Sequence, residues 1–245
     1  MAYIWAFTGT RTCGCDTLCV DATPRTRALK YRQKAAMDFG VALAVVLASL
    51  VCTPALNPLF RHMSGLGFVL ALAAFQFSSE GLVPIILIAV RRERFSDYGF
   101  TRRRLTNSIA LAVLLVVLYD FALSLHAGAW LWIPLRRHNA VRNSLAAGFP
   151  LGLLGLVIVI AVWGFMEAFF GVFFAKKLNQ VLGHSGDGWL APGVLGFGLF
   201  NGILHAAIGQ GVTGFIANFA SGYAIAVIPA VTKNAWGSTL FQTAT

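Results

Sequence analysis

The sequence predicts an all-α, polytopic membrane protein: a transmembrane helical bundle of six to seven spans. Composition is the first reason. Hydrophobic residues make up 58% of the chain and charged residues 11%, with a mean hydropathy of +0.73; a soluble domain carries about 25% charge. The second is that the apolar residues fall into runs long enough to cross a hydrocarbon core of about 30 Å. The third is where the charge sits. The formal net charge of +10 is concentrated between those runs, which is how membrane proteins set their orientation. Cations so placed also suit anionic lipid headgroups. Membrane lipid is therefore an expected partner and nucleic acid is not, and no separate soluble domain is expected.

Residues 1–37 stand apart. They hold six Lys/Arg (Arg11, Arg25, Arg27, Lys30, Arg32, Lys34) and three of the four cysteines. No apolar core followed by a small-residue cleavage site marks a signal peptide. Cys13, Cys15 and Cys19 form a C-x-C-x3-C cluster with no fourth Cys or His nearby, whereas structural zinc takes four ligands at paired spacings. The segment reads as a basic cytoplasmic tail, or as sequence upstream of a true start at Met37. The transmembrane domain is then 38–245.

The first span is expected over Phe39 to Phe60, loosened by Pro54 and Pro58. The second covers Leu66 to Val90 and is interrupted at Ser78-Ser79-Glu80. The loop from Arg91 to Arg104 follows, with six basic residues against two acids. Two spans separate it from the basic tail, so both lie on one side, and the positive-inside rule makes that side, with the N-terminus, cytoplasmic. The third span is Asn107 to Leu125. Ala127 to Pro134, with Trp130 and Trp132, reads as an interfacial belt, and Arg136, Arg137, His138 and Arg142 fall outside. The fourth span ends at Lys176-Lys177, back inside. After a turn-rich loop, Gly183 to Gly188, come the fifth span (Leu190 to Ile208) and the sixth (Val212 to Val231), with Lys233 again cytoplasmic. The last eleven residues, Ala235 to Thr245, make roughly 16 Å of helix and cannot cross. A chain truncated within a seventh span is the expectation. Gly198 and Gly202 form a G-x-x-x-G that favours close packing of the fifth span against a neighbour.

The fourth span carries the acid around which a function can be built. From Leu145 to Ala175 the one charged side chain is Glu167, in a run of roughly 46 Å at ~1.5 Å per residue. An ionisable group at membrane depth is costly and marks a functional site by default. The other embedded ionisable groups are Glu80, Asp120 and His205. Glu80 reads as the cap of a break in the second span, and Asp120 as a second polar partner. Asn201 lies four residues before His205 and so on the same helix face. A carboxylate beside an imidazole on the next helix can activate water and stabilise an oxyanion, or can be a neutral hydrogen-bonded packing pair; the residues leave both open. The two meet only if the helices tilt, shift register or kink near Gly164. Asn218, Ser221 and Gln242 are polar positions suited to interhelical hydrogen bonds. There is no P-loop, G-x-S-x-G or H-E-x-x-H, and one Glu with one His falls short of the three protein ligands of a catalytic zinc site.

Four stretches together resemble the CPBP family, the CAAX proteases and bacteriocin-processing enzymes also called the Abi family. Arg92 to Phe100 resembles its R-x-R-x-S-D-x-G loop. Trp163 to Gly171 resembles the Glu-bearing first motif, and Phe200 to His205 the second, an aromatic followed by His. Val231 to Leu240 resembles T-G-S-L-W-x-P-x-L. The resemblance implies an intramembrane endopeptidase of a bacterial or archaeal cell membrane. It would cleave a CAAX-like or leader peptide with no cofactor assigned and metal use left open. Glu167 and His205 would be the catalytic residues, and Asn201 and Gln242 contacts for substrate or oxyanion. The sequence departs from the family pattern: E-E-x-x-x-R becomes Glu167, Ala168 and Val172, and Asn201 stands four before His205 where Phe is usual. A catalytically degenerate relative with an immunity or scaffold role is the alternative. A small-solute transporter would predict inverted repeats, which the sequence lacks.

Overall fold

The computed structural model describes residues 24–63, 65–128, 139–186 and 188–245. The cysteine cluster at Cys13, Cys15 and Cys19, the belt tryptophans Trp130 and Trp132, and Arg136, Arg137 and His138 lie outside the described residues. Among those described, every regular element is helical: α1 (Pro24–Arg61), α2 (Gly65–Gln76), α3 (Leu82–Arg91), α4 (Leu105–Ala127), α5 (Asn139–Ala146), α6 (Leu151–Val159), α7 (Glu167–Leu182), α8 (Pro192–His205), α9 (Gly211–Thr232) and α10 (Trp236–Ala244). This is the expected all-α bundle. Helices satisfy their own backbone polar groups, which hydrocarbon does not do for them.

Five helical segments are long and apolar enough to cross a membrane: Ala28–Thr53, Gly65–Arg91, Leu105–Ala127, Leu151–Leu182 and Pro192–Thr232. The last is a hairpin, because Ile208 and Gly209 leave helical geometry and turn α9 back along α8. There the G-x-x-x-G acts within the chain. A side chain at Gly198 would stand 3.1 Å from the Phe219 carbonyl oxygen, and one at Gly202 would stand 2.9 Å from that of Phe215. The helix containing the first span begins at Pro24, so the basic residues from Arg25 to Lys34 extend it rather than precede it. The second apolar run is not broken at Ser78-Ser79-Glu80. It passes through a π-helical turn, Phe77–Gly81, from α2 into α3. The serine hydroxyls bond back to the carbonyls of Ala74 and Gln76.

Helix α7 is the centre of the bundle. Every residue from Ala168 to Ala175 is buried, as expected for a helix apolar on all sides. Phe170 and Phe174 meet Phe197 and Phe200 of α8, while Phe169 meets Tyr98 and Phe100 of the preceding loop. The peripheral helices turn Val51, Leu114, Leu118 and Leu125 outward, the surface that lipid would cover.

At the lysine-bearing end of α7 a charge network ties four segments together. Lys177, 2% exposed, donates to Asp38 of α1 at 3.0 Å and to Glu93 at 2.8 Å. Arg91, the last residue of α3, holds the other oxygen of Asp38 at 2.8 Å. Tyr98 donates its hydroxyl to Glu93, stacks on Phe173 at 5.7 Å, and carries the Lys176 ammonium 4.0 Å above its ring. Burial, and then the bond to Glu93, pushes the Tyr98 hydroxyl well above the usual phenol range, so it remains a donor. The same loop receives α10: Asn234 donates to the carbonyls of Thr101 at 2.6 Å and Arg103 at 2.8 Å, and Gly237 donates to the Ser108 hydroxyl at 2.9 Å. The basic loop, the α7 lysines and the start of α10 therefore share one end of the bundle.

A buried ion pair stripped of one member costs about 3–5 kcal/mol. Lys177→Met leaves Asp38 Oδ2 and Glu93 Oε1 without their donor, and its unfolding midpoint in detergent should fall accordingly. Adding Asp38→Asn to Lys177→Met should recover part of the loss.

Candidate functional site

Three of the four embedded ionisable residues, Glu80, Glu167 and His205, stand in or against π-helical turns; Asp120 lies within α4. Glu80 lies within Phe77–Gly81, Glu167 directly follows Ile160–Met166, and His205 directly precedes Ala206–Gln210. A π turn inserts an extra residue into an α-helix and is frequent at functional sites. Gly164 lies within the second of these turns. The first two turns touch, with the Met166 sulfur 3.1 Å from where a Gly81 side chain would begin.

This contact brings two carboxyl groups together. The Gln76 side-chain amide donates to Glu80 at 3.2 Å and to Glu167 at 3.3 Å through the same nitrogen. The carboxyls are close enough to act electrostatically on each other, and Gln242 of α10 provides a further hydrogen bond to Glu167. Gln242 can reach because α10 packs tightly on the second π turn: a side chain at Gly164 would stand 2.0 Å from the Thr243 hydroxyl. Gln242 Oε1 is buried without a partner. A cavity of about 10 Å³ lies between Gln242, Thr243, Trp163 and Gly164, close to the size of one water. Glu80, Glu167 and Gln242 are half-buried. Glu167 lies about 14 Å along the helix from Lys176 at ~1.5 Å per residue, inside the apolar segment Leu151–Leu182.

His205 belongs to a second polar set. Gly193 of α8 lies against the Ala175 carbonyl and Gly171 against Phe197. Carrying that antiparallel register onward puts Asn201 level with Glu167, and His205 one helical turn beyond. The hydrogen-bond partner of His205 is Gln210, and its Nδ1 is buried without a partner. Gln210 accepts from Asn218 at 3.0 Å, and Asn201 donates to the Asn218 carbonyl at 2.9 Å. Among the described residues, the hydrogen bonds of Glu167 run to α2 and α10, and those of His205 and Asn201 run along the α8–α9 hairpin. Thus Glu167 and Gln242 come together, whereas His205 and Asn201 form a neighbouring group.

The reading by sequence gives Glu80 as an embedded acid at a helix break and misses Gln76. The helix continues through Glu80 as a π turn, and Gln76 donates to its carboxyl. The available signal was their i, i+4 spacing in an otherwise apolar run, which puts both on one helix face. Asp120 is buried on α4, beside Tyr119, whose ring meets Phe241 of α10 at 5.8 Å. Among the described residues no three His, Cys, Asp or Glu side chains gather as a metal site would require. No known family model matches the chain, and no curated protein or solved structure matches it.

Gly164→Ala should push α10 outward and withdraw Gln242 from Glu167, at a cost of about 1–3 kcal/mol. Thr243→Ala removes the colliding hydroxyl and should restore much of the unfolding midpoint in the double variant.

Proposed function

We propose that the chain is an intramembrane peptidase that hydrolyses a peptide bond of a membrane-associated peptide, CAAX-like or leader-like. The observation that carries the proposal is the pair of carboxyls, Glu80 and Glu167, held by one amide inside apolar helical segments. Where the family's first motif has a second glutamate in sequence, this chain has Ala168. Glu80 supplies the second carboxyl from another helix.

The chemistry assigns each group a step. Glu167 takes a proton from a water as the water oxygen bonds to the scissile carbonyl carbon. Negative charge then develops on the former carbonyl oxygen, where side-chain N–H groups of Gln242 or Asn201, or the imidazole of His205, are the available donors. Paired carboxyls commonly divide acid and base roles. Glu80 would give a proton to the departing amine nitrogen as the carbon–nitrogen bond breaks. Gln76 keeps the two carboxyls in register. The proposed setting is a bacterial or archaeal cell membrane with the arginine-rich loop and N-terminus on the cytoplasmic side, as loop charge favours. Its proposed partners are lipid and peptide rather than nucleic acid.

One observation favours a second reading, a non-enzymatic relative: the described partner of His205 is Gln210 rather than the acid. Purified protein in proteoliposomes, given fluorogenic prenylated C-terminal peptides and leader peptides, separates the two. Glu167→Gln and Glu80→Gln should each lower peptide release by roughly 10²–10⁴-fold, the usual contribution of a general acid or base. Release unaffected by Glu167→Gln would remove the peptidase reading and leave the structural one.

A further inference from the structure

At the lysine-bearing end of the bundle, away from the acid pair, a cleft of about 410 Å³ opens between α7, the end of α9 and the Ser96–Gly99 segment. That volume is within the range of small-molecule sites, about 300–1,000 Å³. Its inner wall is apolar and buried, formed by Val172, Ala175, Val194 and Ala226. Its rim is polar and carries two cations, Lys176 and Lys233, beside His184, Asn179 and Gln180.

The rim is arranged for an anion. Lys176 is fixed by the Asp97 carbonyl at 2.8 Å and by the Tyr98 ring, and neither contact carries a neutralising charge. The one carboxylate on the lining, that of Asp97, accepts from the Arg94 backbone N–H at 3.0 Å. Lys233, whose ammonium donates to the Ala230 carbonyl at 3.0 Å, continues the positive edge from the end of α9. Gln180 Oε1 is buried without a hydrogen-bond partner, so the lining offers an acceptor for a hydroxyl donor beside its cations. The location is also specific. Trp189 and Leu190, just before α8, are 65% and 64% exposed, and exposed aromatic residues at the end of an apolar helix mark headgroup level.

We propose that this cleft binds the headgroup of an anionic glycerophospholipid, with the phosphate between Lys176 and Lys233 and a headgroup hydroxyl donating to Gln180. An apolar wall, a cationic rim and a lone acceptor at the membrane boundary match that chemistry better than they match a zwitterionic headgroup, whose ammonium would meet the lysines.

The test uses the full chain in nanodiscs of phosphatidylglycerol, phosphatidylcholine or a mixture, read by native mass spectrometry for retained lipid and by thermal unfolding. Phosphatidylglycerol should be retained over phosphatidylcholine by roughly ten- to thirty-fold, the advantage expected of two lysines near the surface, and should raise the unfolding midpoint. Lys233→Gln and Gln180→Glu should each reduce that preference, and Lys176→Arg should keep it. Lys233 and Gln180 lie outside the Tyr98 ring stack, so these two variants carry the test even if Lys176→Arg does not fold. Equal retention of the two lipids, or a preference unchanged by Lys233→Gln and Gln180→Glu, would overturn the proposal. Equal protection by millimolar inorganic phosphate in phosphatidylcholine nanodiscs would assign the cleft to a free anion and overturn the lipid.

Discussion

The fold depends on placing one buried ammonium, that of Lys177, between carboxylates from two other segments. An unpaired charge there would cost several kcal/mol, so α1, the loop after α3 and α7 must meet in one register or not at all. Asp38 is the shared acceptor, taking Lys177 on one oxygen and Arg91 on the other. Hydrocarbon provides no hydrophobic drive to distinguish one greasy packing from another. Paired charge at the bundle's end does distinguish them, and the aromatic stack of Tyr98 on Phe173 extends the match along α7.

Once α7 is fixed, the deeper site follows from helix geometry. The π turn before Glu167 and the one containing Glu80 touch through Met166 and Gly81, and Gln76 spans the two acids. The third member, Gln242, arrives on α10. That segment is held at its start by Asn234 and Ser108 and pressed against Gly164 further along. A set of polar groups is thus assembled from three parts of the chain, each secured elsewhere by contacts of a different kind.

Much of this was legible in the residues. Apolar runs and loop lysines gave the helical class. The solitary acid of the fourth run pointed to Glu167, and the motif from Phe200 to His205 marked a polar helix face. Other features were not legible, for identifiable reasons. Glu80 looked like a capping residue because Ser78 and Ser79 beside it suggest a break, but their hydroxyls satisfy carbonyls of a continuing helix. Chain order puts Glu167 and His205 on successive apolar helices and leaves open whether they meet. Which way each side chain faces depends on the extra residue in a π turn, and periodicity does not reveal it. Gln242 gave no sign of which helix its short segment would meet, because that depends on Gly164 lacking a side chain.

The origin of the Lys177 partners bears on biogenesis. Asp38 belongs to the first apolar helix and Arg91 to the second, whereas the ammonium that joins Asp38 to Glu93 arrives only with the fourth. During synthesis Asp38 can meet Arg91 once the second apolar helix is made, but its other oxygen waits for Lys177. Arg91 ends α3 and Glu93 lies in the adjoining loop, where water can solvate them until the partner appears. The electrostatic latch closes late, and a nascent chain halted before α7 would lack the contact that selects its packing.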